Sequence, residues 1–342
     1  MIPTPPVVEH FESAGDAQIF QVPVEAFPGL RTYGYLVLYD EYRVLIDSGS
    51  GFGNSNAGLE EGFRQINEHW LEQETHFEDL THILITHGHI DHIGGLNYLR
   101  QRSPALLGIH ELDRRNITNY EERLTIVARN LQRYLIEAGV SADRVEDLLT
   151  LYKITKSLFH SEKVDFTYEA IGMQLGPFEF LHVPGHCAGH VVIRLHDVLF
   201  SGDHVLDDIT PHQAPEHLTL STGLEHYLHS LDLLKPWGES IRLTLGGHKK
   251  PILDLPARIL AIQQAHKTRL DQVMDFFITP NTIDACSRSL FRDVRGYNVL
   301  LALEETGAHV EYLYERGLLS IDNLFDYENS NGPVPILYKR IS

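Results

Sequence analysis

Within seven residues, Thr86-His87-Gly88-His89-Ile90-Asp91-His92 offers four side chains able to bind a metal: His87, His89, Asp91 and His92. Imidazoles and a carboxylate at that density suit a hard-to-borderline divalent cation, zinc first, with iron or manganese as alternatives. Such a cation brings the pKa of a bound water toward about 7, so hydrolysis would need no serine or cysteine nucleophile. The cluster is entered from the apolar run Ile83-Leu84-Ile85 and left through Gly94-Gly95. That pattern predicts a strand running into a loop that wraps metal, with a helix beginning near Leu96.

Four further positions share this context. Asp47 lies in Leu45-Ile46-Asp47-Ser48-Gly49, His186 in Val183-Pro184-Gly185-His186-Cys187, Asp203 in Phe200-Ser201-Gly202-Asp203, and His248 in Leu245-Gly246-Gly247-His248. Each follows an apolar β-type run, so one edge of a sheet could gather them. The chain has 21 histidines in 342 residues, and His10, His69, His76, His160 and His226 read as packing or surface residues. Cys187 reads as a small filler, and His190 and His204, which border candidate ligands, as supporting partners or packing.

Periodicity supplies the elements that must position these side chains. Residues 19–22, 33–39 and 43–46 read as strands, the last two joined by a turn at Asp40-Glu41. Residues 59–71 have helical spacing, and 81–85 and 105–109 read as strands. Residues 116–160 predict an inserted helical hairpin, with Thr118-x-x-Glu121 as a capping box, Tyr120, Leu124, Val127, Leu131 and Leu135 on one face, and Gly139 as the stop. Its place between the His87–His92 cluster and His186 makes it a candidate lid over the metal site. Strands at 178–183, 191–195 and 198–200 follow, then a helix at 224–234 and a strand at 241–245. Helices are expected at 256–277, 281–290, 297–303 and 308–316, the last stopped by Gly317, and then strands at 318–321 and 335–338 around a polar loop. This order suggests a winged-helix-like domain over 254–342, after a catalytic domain over 1–253.

Composition is that of a soluble globular protein, 43% hydrophobic and 22% charged, with a net charge of -19. No apolar run reaches the roughly 18 residues of a membrane span. The opening Met1-Ile2-Pro3-Thr4-Pro5-Pro6 lacks a secretory pattern, and the two cysteines, Cys187 and Cys286, make no disulfide framework, so a cytoplasmic location is expected.

The motifs from Asp47 to His248, in this order, resemble those of the metallo-beta-lactamase-fold hydrolases. The resemblance implies an α+β fold, a four-layer αββα sandwich, and two divalent metal ions. By that likeness His87, His89 and His186 would hold the first ion, Asp91, His92 and His248 the second, and Asp203 would bridge them. Asp47 would tie the metal loop in place without ligating. Two such ions, about 3.5–4 Å apart, can trap a bridging hydroxide and polarise a carbonyl or phosphoryl oxygen. Asp91 would then be the catalytic carboxylate, orienting the hydroxide and passing its proton to the leaving group. His248 departs from the commonest family form, since Lys249-Lys250 follow it where a glycine is usual. One of these lysines is a candidate for binding an anionic part of the substrate.

Asp203 stands where the main antibiotic-degrading classes carry cysteine, which argues against beta-lactams and resembles the glyoxalase II, lactonase and ribonuclease Z branches. The stretch Glu304-Glu305-Thr306-Gly307-Ala308-His309-Val310 resembles that of a glyoxalase-like branch with an appended winged helix, whose members include thioesterases and nucleases of single-stranded RNA. Charge separates these readings. From Asp254 onward the chain has nine Lys/Arg against twelve Asp/Glu, and before it nineteen against thirty-five, a poor match to a polyanion. The expectation is a dinuclear metal-dependent hydrolase of a thioester or related acyl ester, small or carrier-bound, with no membrane partner and nucleic acid disfavoured. A homodimer is an allowed assembly. The alternatives are a single-stranded RNA endonuclease, a lactonase, or a mono-iron persulfide dioxygenase with the same histidines.

Overall fold

The computed structural model describes residues 7–156 and 159–341. Its centre is two facing β-sheets. The first has seven strands in chain order: β1 (Glu9–Glu12), β2 (Gln18–Phe27), β3 (Leu30–Tyr39), β4 (Tyr42–Ile46), β5 (His82–Leu84), β6 (Leu106–Ile109) and β7 (Phe166–Thr167). Strands β1 to β4 are antiparallel, and β4 to β7 run parallel. The second sheet comprises β8 (Gln174–Leu175), β9 (Phe178–His182), β10 (Val191–Leu195), β11 (Val198–Gly202) and β12 (Leu243–Gly246), in the order β12-β11-β10-β9-β8, with only β11 and β12 parallel.

Period-2 alternation in the strands decides which face each residue covers. Tyr35 and Val37 of β3, Val44 and Ile46 of β4, and Val191, Ile193 and Leu195 of β10 fill the space between the sheets. The intervening Leu36 and Leu45 point outward, onto Leu59, Phe63 and Ile66 of α1 (Ser55–His69) and the short helices α2 (Ile90–Ile93) and α3 (Leu96–Leu99). Full burial of each such side chain contributes about 1.5–3 kcal/mol. After β6 come α4 (Glu111–Thr118), α5 (Tyr120–Glu137) and α6 (Ala142–Lys156). The outer face of the second sheet, at Val192 and Leu199, is covered by α7 (Leu224–Gly238) and α8 (Leu255–Phe276). Helix, sheet, sheet and helix therefore stack in four layers.

The chain ends in α9 (Ile283–Leu290), α10 (Tyr297–Glu315), β13 (Leu319–Ile321), α11 (Leu324–Asn329) and β14 (Tyr338–Arg340), with β13 and β14 antiparallel. Two helices expected at 297–303 and 308–316 are one, α10. The glycine between them does not break it, because Gly307 is a packing point: a Cβ there would lie 2.2 Å from Tyr134 Oη. The polar loop expected around 329 is partly helical, and the second strand falls at Tyr338–Arg340 rather than 335–338.

Helices α5 and α6 form the expected pair. Gly139 has φ +85, and its N–H and that of Val140 bond back to the carbonyls of Ile136 and Leu135, both at 3.0 Å. The expected capping box is absent. Thr118 ends α4 and donates to Arg114 O, and Asn119 precedes α5 without a side-chain cap. The apolar stripes of the pair are also committed: Leu131, Leu135, Leu148 and Leu149 share a core with Val273, Phe277, Ile283, Leu300 and Leu303. Deleting the pair would open that core. Among the described residues no helix is long and apolar enough to cross a membrane.

Candidate metal centre

Every candidate ligand sits just past a strand, on the carboxyl-end edge of the sheets. β4 ends at Ile46 and delivers Asp47; β5 ends at Leu84 and leads into His87, His89, Asp91 and His92. His186 lies in the β9–β10 connection, Asp203 directly follows β11, and His248 follows β12 by one residue. The register of β11 against β12 shifts between Phe200 and Gly202, a bulge that re-aims the strand end carrying Asp203. Gly202 has φ +48, and a Cβ there would meet Thr86 Oγ1 at 2.7 Å, so glycine is required for the strand ends to meet.

Seven of the expected residues come together in two adjacent donor sets: His87, His89 and His186 in one, Asp91, His92, Asp203 and His248 in the other. Within each set, one donor atom per residue lies within 4.8 Å of the others. Asp203 stands between the sets. Its Oδ2 is 3.7 Å from His186 Nε2 and 3.3 Å from His248 Nε2, and its Oδ1 is 3.6 Å from His92 Nε2. Asp91 Oδ2 is 3.3 Å from His248 Nε2 and 3.7 Å from His92 Nε2.

The rings are anchored from behind. His186 Nδ1 donates to His212 O at 2.6 Å, His248 Nδ1 to Arg31 O at 2.6 Å, and His92 Nδ1 to Asp47 Oδ2 at 2.8 Å. Anchoring Nδ1 turns each Nε2 inward, toward the donor sets. Among the described residues, none gives His92 Nε2, His186 Nε2 or Asp203 Oδ1 a hydrogen-bond partner, although all three atoms are buried. Buried polar atoms of this kind are normally satisfied. Inward Nε2 atoms, unpartnered buried donors and a mixed imidazole–carboxylate set together fit divalent cations.

Electrostatics distinguish the sets. Burial, reinforced at His87 by the neighbouring His92, holds His87 and His186 below the ordinary imidazole range, so both stay neutral. At His248, burial would lower the pKa, but the Asp203 and Asp91 carboxylates outweigh it and push the ring up to about 10. Burial would raise Asp203, yet His248 and His92 hold it well below the usual carboxylate range. A cation entering the second set therefore competes with protons that these carboxylates retain on their histidines.

Asp47 lies behind the second donor set. It is 1% exposed, and accepts from Thr86 N and Thr86 Oγ1 at 2.8 Å as well as from His92. The lysines do not join the cluster: both are exposed, and Lys249 pairs with Asp208 at 3.3 Å. The physical reason is the turn after His248, where Lys249 takes φ +70 and the chain is not an extended segment with one side chain facing the metals. Cys187 is buried, and burial together with Asp113 raises its thiol well above the ordinary value, so it is no reactive thiolate. His190 is a support: its ring stacks on His87 at 4.7 Å, and its Nε2 accepts from Asp203 N at 3.1 Å.

One residue of the site has no signal in its neighbourhood. Asp113, in α4, is 1% exposed and accepts from Gly88 N at 2.7 Å and Gly189 N at 2.9 Å, joining the two loops that carry the first donor set. Beside it, Asn116 fills the space over Gly88, and Arg123 of α5 donates to Asn116 Oδ1 at 3.0 Å. The amino-terminal end of the α5–α6 pair thus reaches the metal loop.

Residues 28–253 match the model of the metallo-beta-lactamase superfamily, and the chain belongs to that superfamily. A metallo-beta-lactamase family protein from Thermus thermophilus has the same fold, with a TM-score of 0.73 at 24% identity over 94% of this chain and 98% of its own. A beta-lactamase domain protein from Burkholderia ambifaria is similar, with a TM-score of 0.69 at 20% identity over 99% of this chain and 97% of its own. No curated protein matches the sequence.

Proposed function

We propose that the protein is a dinuclear metal-dependent hydrolase acting on a thioester or related acyl ester. The observation that supports it most is Asp203, whose two carboxylate oxygens face histidines of both donor sets at 3.3–3.7 Å. His87, His89 and His186 would hold one ion, Asp91, His92 and His248 the other, with Asp203 shared. Zinc is the first choice for this donor chemistry, iron or manganese the second. Bound there, divalent ions supply an ionised water at neutral pH and an electrophile for the acyl oxygen.

The chain's own residues do the rest. Asp91 has the more exposed carboxylate of its set, at 15% against 10% for Asp203, which supports a role in accepting a proton and returning it to the leaving group. His190 and Asp47 hold Asp203 and His92 in register, and Asp113 holds the loops of the first set. A small or carrier-bound acyl ester fits this acidic molecule, net charge -19, better than a nucleic-acid backbone does. On this reading residues 254–342 form a winged-helix-like appendage to a catalytic domain, as in the glyoxalase-like branch, and the compartment is the cytoplasm.

The test is a hydrolysis panel on the zinc-loaded protein with a thioester, a lactone, a phosphodiester and a beta-lactam. The thioester should have the highest kcat/KM, and chelation should abolish the rate. Preferential cleavage of the phosphodiester would move the protein to the nuclease branch, and oxygen consumption with a persulfide by an iron-loaded sample would move it to the dioxygenases.

A further inference from the structure

Helix α10 carries three carboxylates that grip one loop, residues 212–217. Glu305, 6% exposed, accepts from Gln213 N at 2.7 Å through Oε2 and from Arg269 of α8 at 2.6 Å through Oε1. Glu304 Oε2 lies 3.2 Å from His212 Nε2. Glu311 accepts from Glu216 N at 2.7 Å, and from His217 N at 3.2 Å and His217 Nδ1 at 2.7 Å. Gly307 lets helix and loop approach, since a Cβ there would fall 2.9 Å from Pro215 Cγ. Glu305 thus holds the N–H of the His212–Gln213 peptide, the same peptide whose carbonyl accepts from His186 Nδ1 at 2.6 Å, and Glu304 flanks the His212 ring.

Beside this grip, His266, Glu305 and His309 bring three donor atoms within 4.8 Å, which raises the question of a third ion. The neighbours answer it. Arg269 already supplies a cation to Glu305 Oε1, His309 Nδ1 donates to Glu305 O at 2.7 Å, and His309 Nε2 accepts from His266 Nδ1 at 3.1 Å. Apart from His266 Nε2, which has no hydrogen-bond partner among the described residues, these donor atoms are engaged with one another, and the cluster braces Glu305.

We infer that Glu304 and Glu305, on the carboxyl-terminal helix, are positioning residues for His186: they seat the loop whose carbonyl fixes that ring with Nε2 turned into the first donor set. The inference rests on the two-ion reading, and it gives the carboxyl-terminal region a role in building the metal centre. A ligand histidine whose second nitrogen loses its partner binds metal more weakly, because the ring is no longer held in one tautomer and orientation.

Site-specific zinc titrations of the full chain test it. The His248→Ala background weakens the second set and reports the first, and the His89→Ala background does the reverse. In the His248→Ala background, Glu305→Ala should weaken zinc binding by about 10–100-fold, with little change in the His89→Ala background. Glu305→Gln, which keeps an oxygen for Gln213 N, should recover most of the loss. If Glu305→Ala does not fold, Glu304→Ala at its partly exposed position should show a smaller loss confined to the same background. Equal weakening in both backgrounds, or a lowered Tm with unchanged affinities, would overturn the inference. Absence of zinc binding in the parent His248→Ala protein would instead bring down the two-ion reading itself.

Discussion

Asp203→Ala should lose all measurable hydrolysis and release at least one of the two ions proposed for the centre. Among the described residues no other carboxylate is placed between the sets: Asp203 faces His186 on one side and His92 and His248 on the other. Its removal leaves His92 and His248 without the anion that balances them, and it also removes the oxygens that two cations would share. Metal-assisted charge stabilisation is worth several kcal/mol, so a fall in kcat/KM of at least about a thousandfold is expected. Metal analysis of the purified variant should give close to one ion per chain or fewer. Because Asp203 is 7% exposed and its backbone N–H is held by His190, the variant should still fold and allow both measurements.

Asp47→Ala should have the second large effect, and it should appear in stability as well as in metal content. Asp47 receives three hydrogen bonds of 2.8 Å, from Thr86 N, Thr86 Oγ1 and His92 Nδ1, and it is buried. Breaking one partner out of a buried charged network costs about 3–5 kcal/mol, because the groups left behind stay unsatisfied. That corresponds to a drop in Tm on the order of 10 °C by calorimetry. His92 would lose its fixed tautomer, so the second ion should be held more weakly than the first. Asp47→Asn is the informative control. Asparagine tolerates the backbone at φ +60 and keeps one acceptor, so its loss should be intermediate. A variant Asp47→Ala with unchanged Tm and full metal content would show that Asp47 does not hold the loop.

The metal loop was legible in the sequence because its signal is local. Four donors in six residues after an apolar run have no packing explanation, and the structure gathers them with His186, Asp203 and His248 at the strand ends. The partners that orient these ligands were not legible, for they act across long stretches of chain. Asp113 holds glycine amides 25 and 76 residues away, and Glu305 reaches Gln213 across 92. Backbone carbonyls such as those of Arg31 and His212 have no residue type to read at all.

Local rules misled where tertiary packing prevailed. Residues 297–303 and 308–316 read as two helices, yet α10 runs on through Gly307, where Tyr134 and Pro215 need the space. Thr118-x-x-Glu121 has the composition of a capping box, but the chain starts α5 two residues after Thr118, and Glu121 turns to Ser161 instead. Lys249 follows a candidate ligand directly, and a left-handed turn sends it to Asp208 at the surface. The strands were easier, because alternation such as Tyr35-Leu36-Val37 declares two buried faces before any partner is known.

The most direct measurement is anomalous X-ray diffraction from crystals of the zinc-loaded protein, recorded on both sides of the zinc absorption edge. The proposed centre predicts two peaks, one among His87, His89 and His186 and one among Asp91, His92 and His248, with Asp203 in contact with both. A single peak confined to the three histidines, or no peak at the cluster, would contradict it.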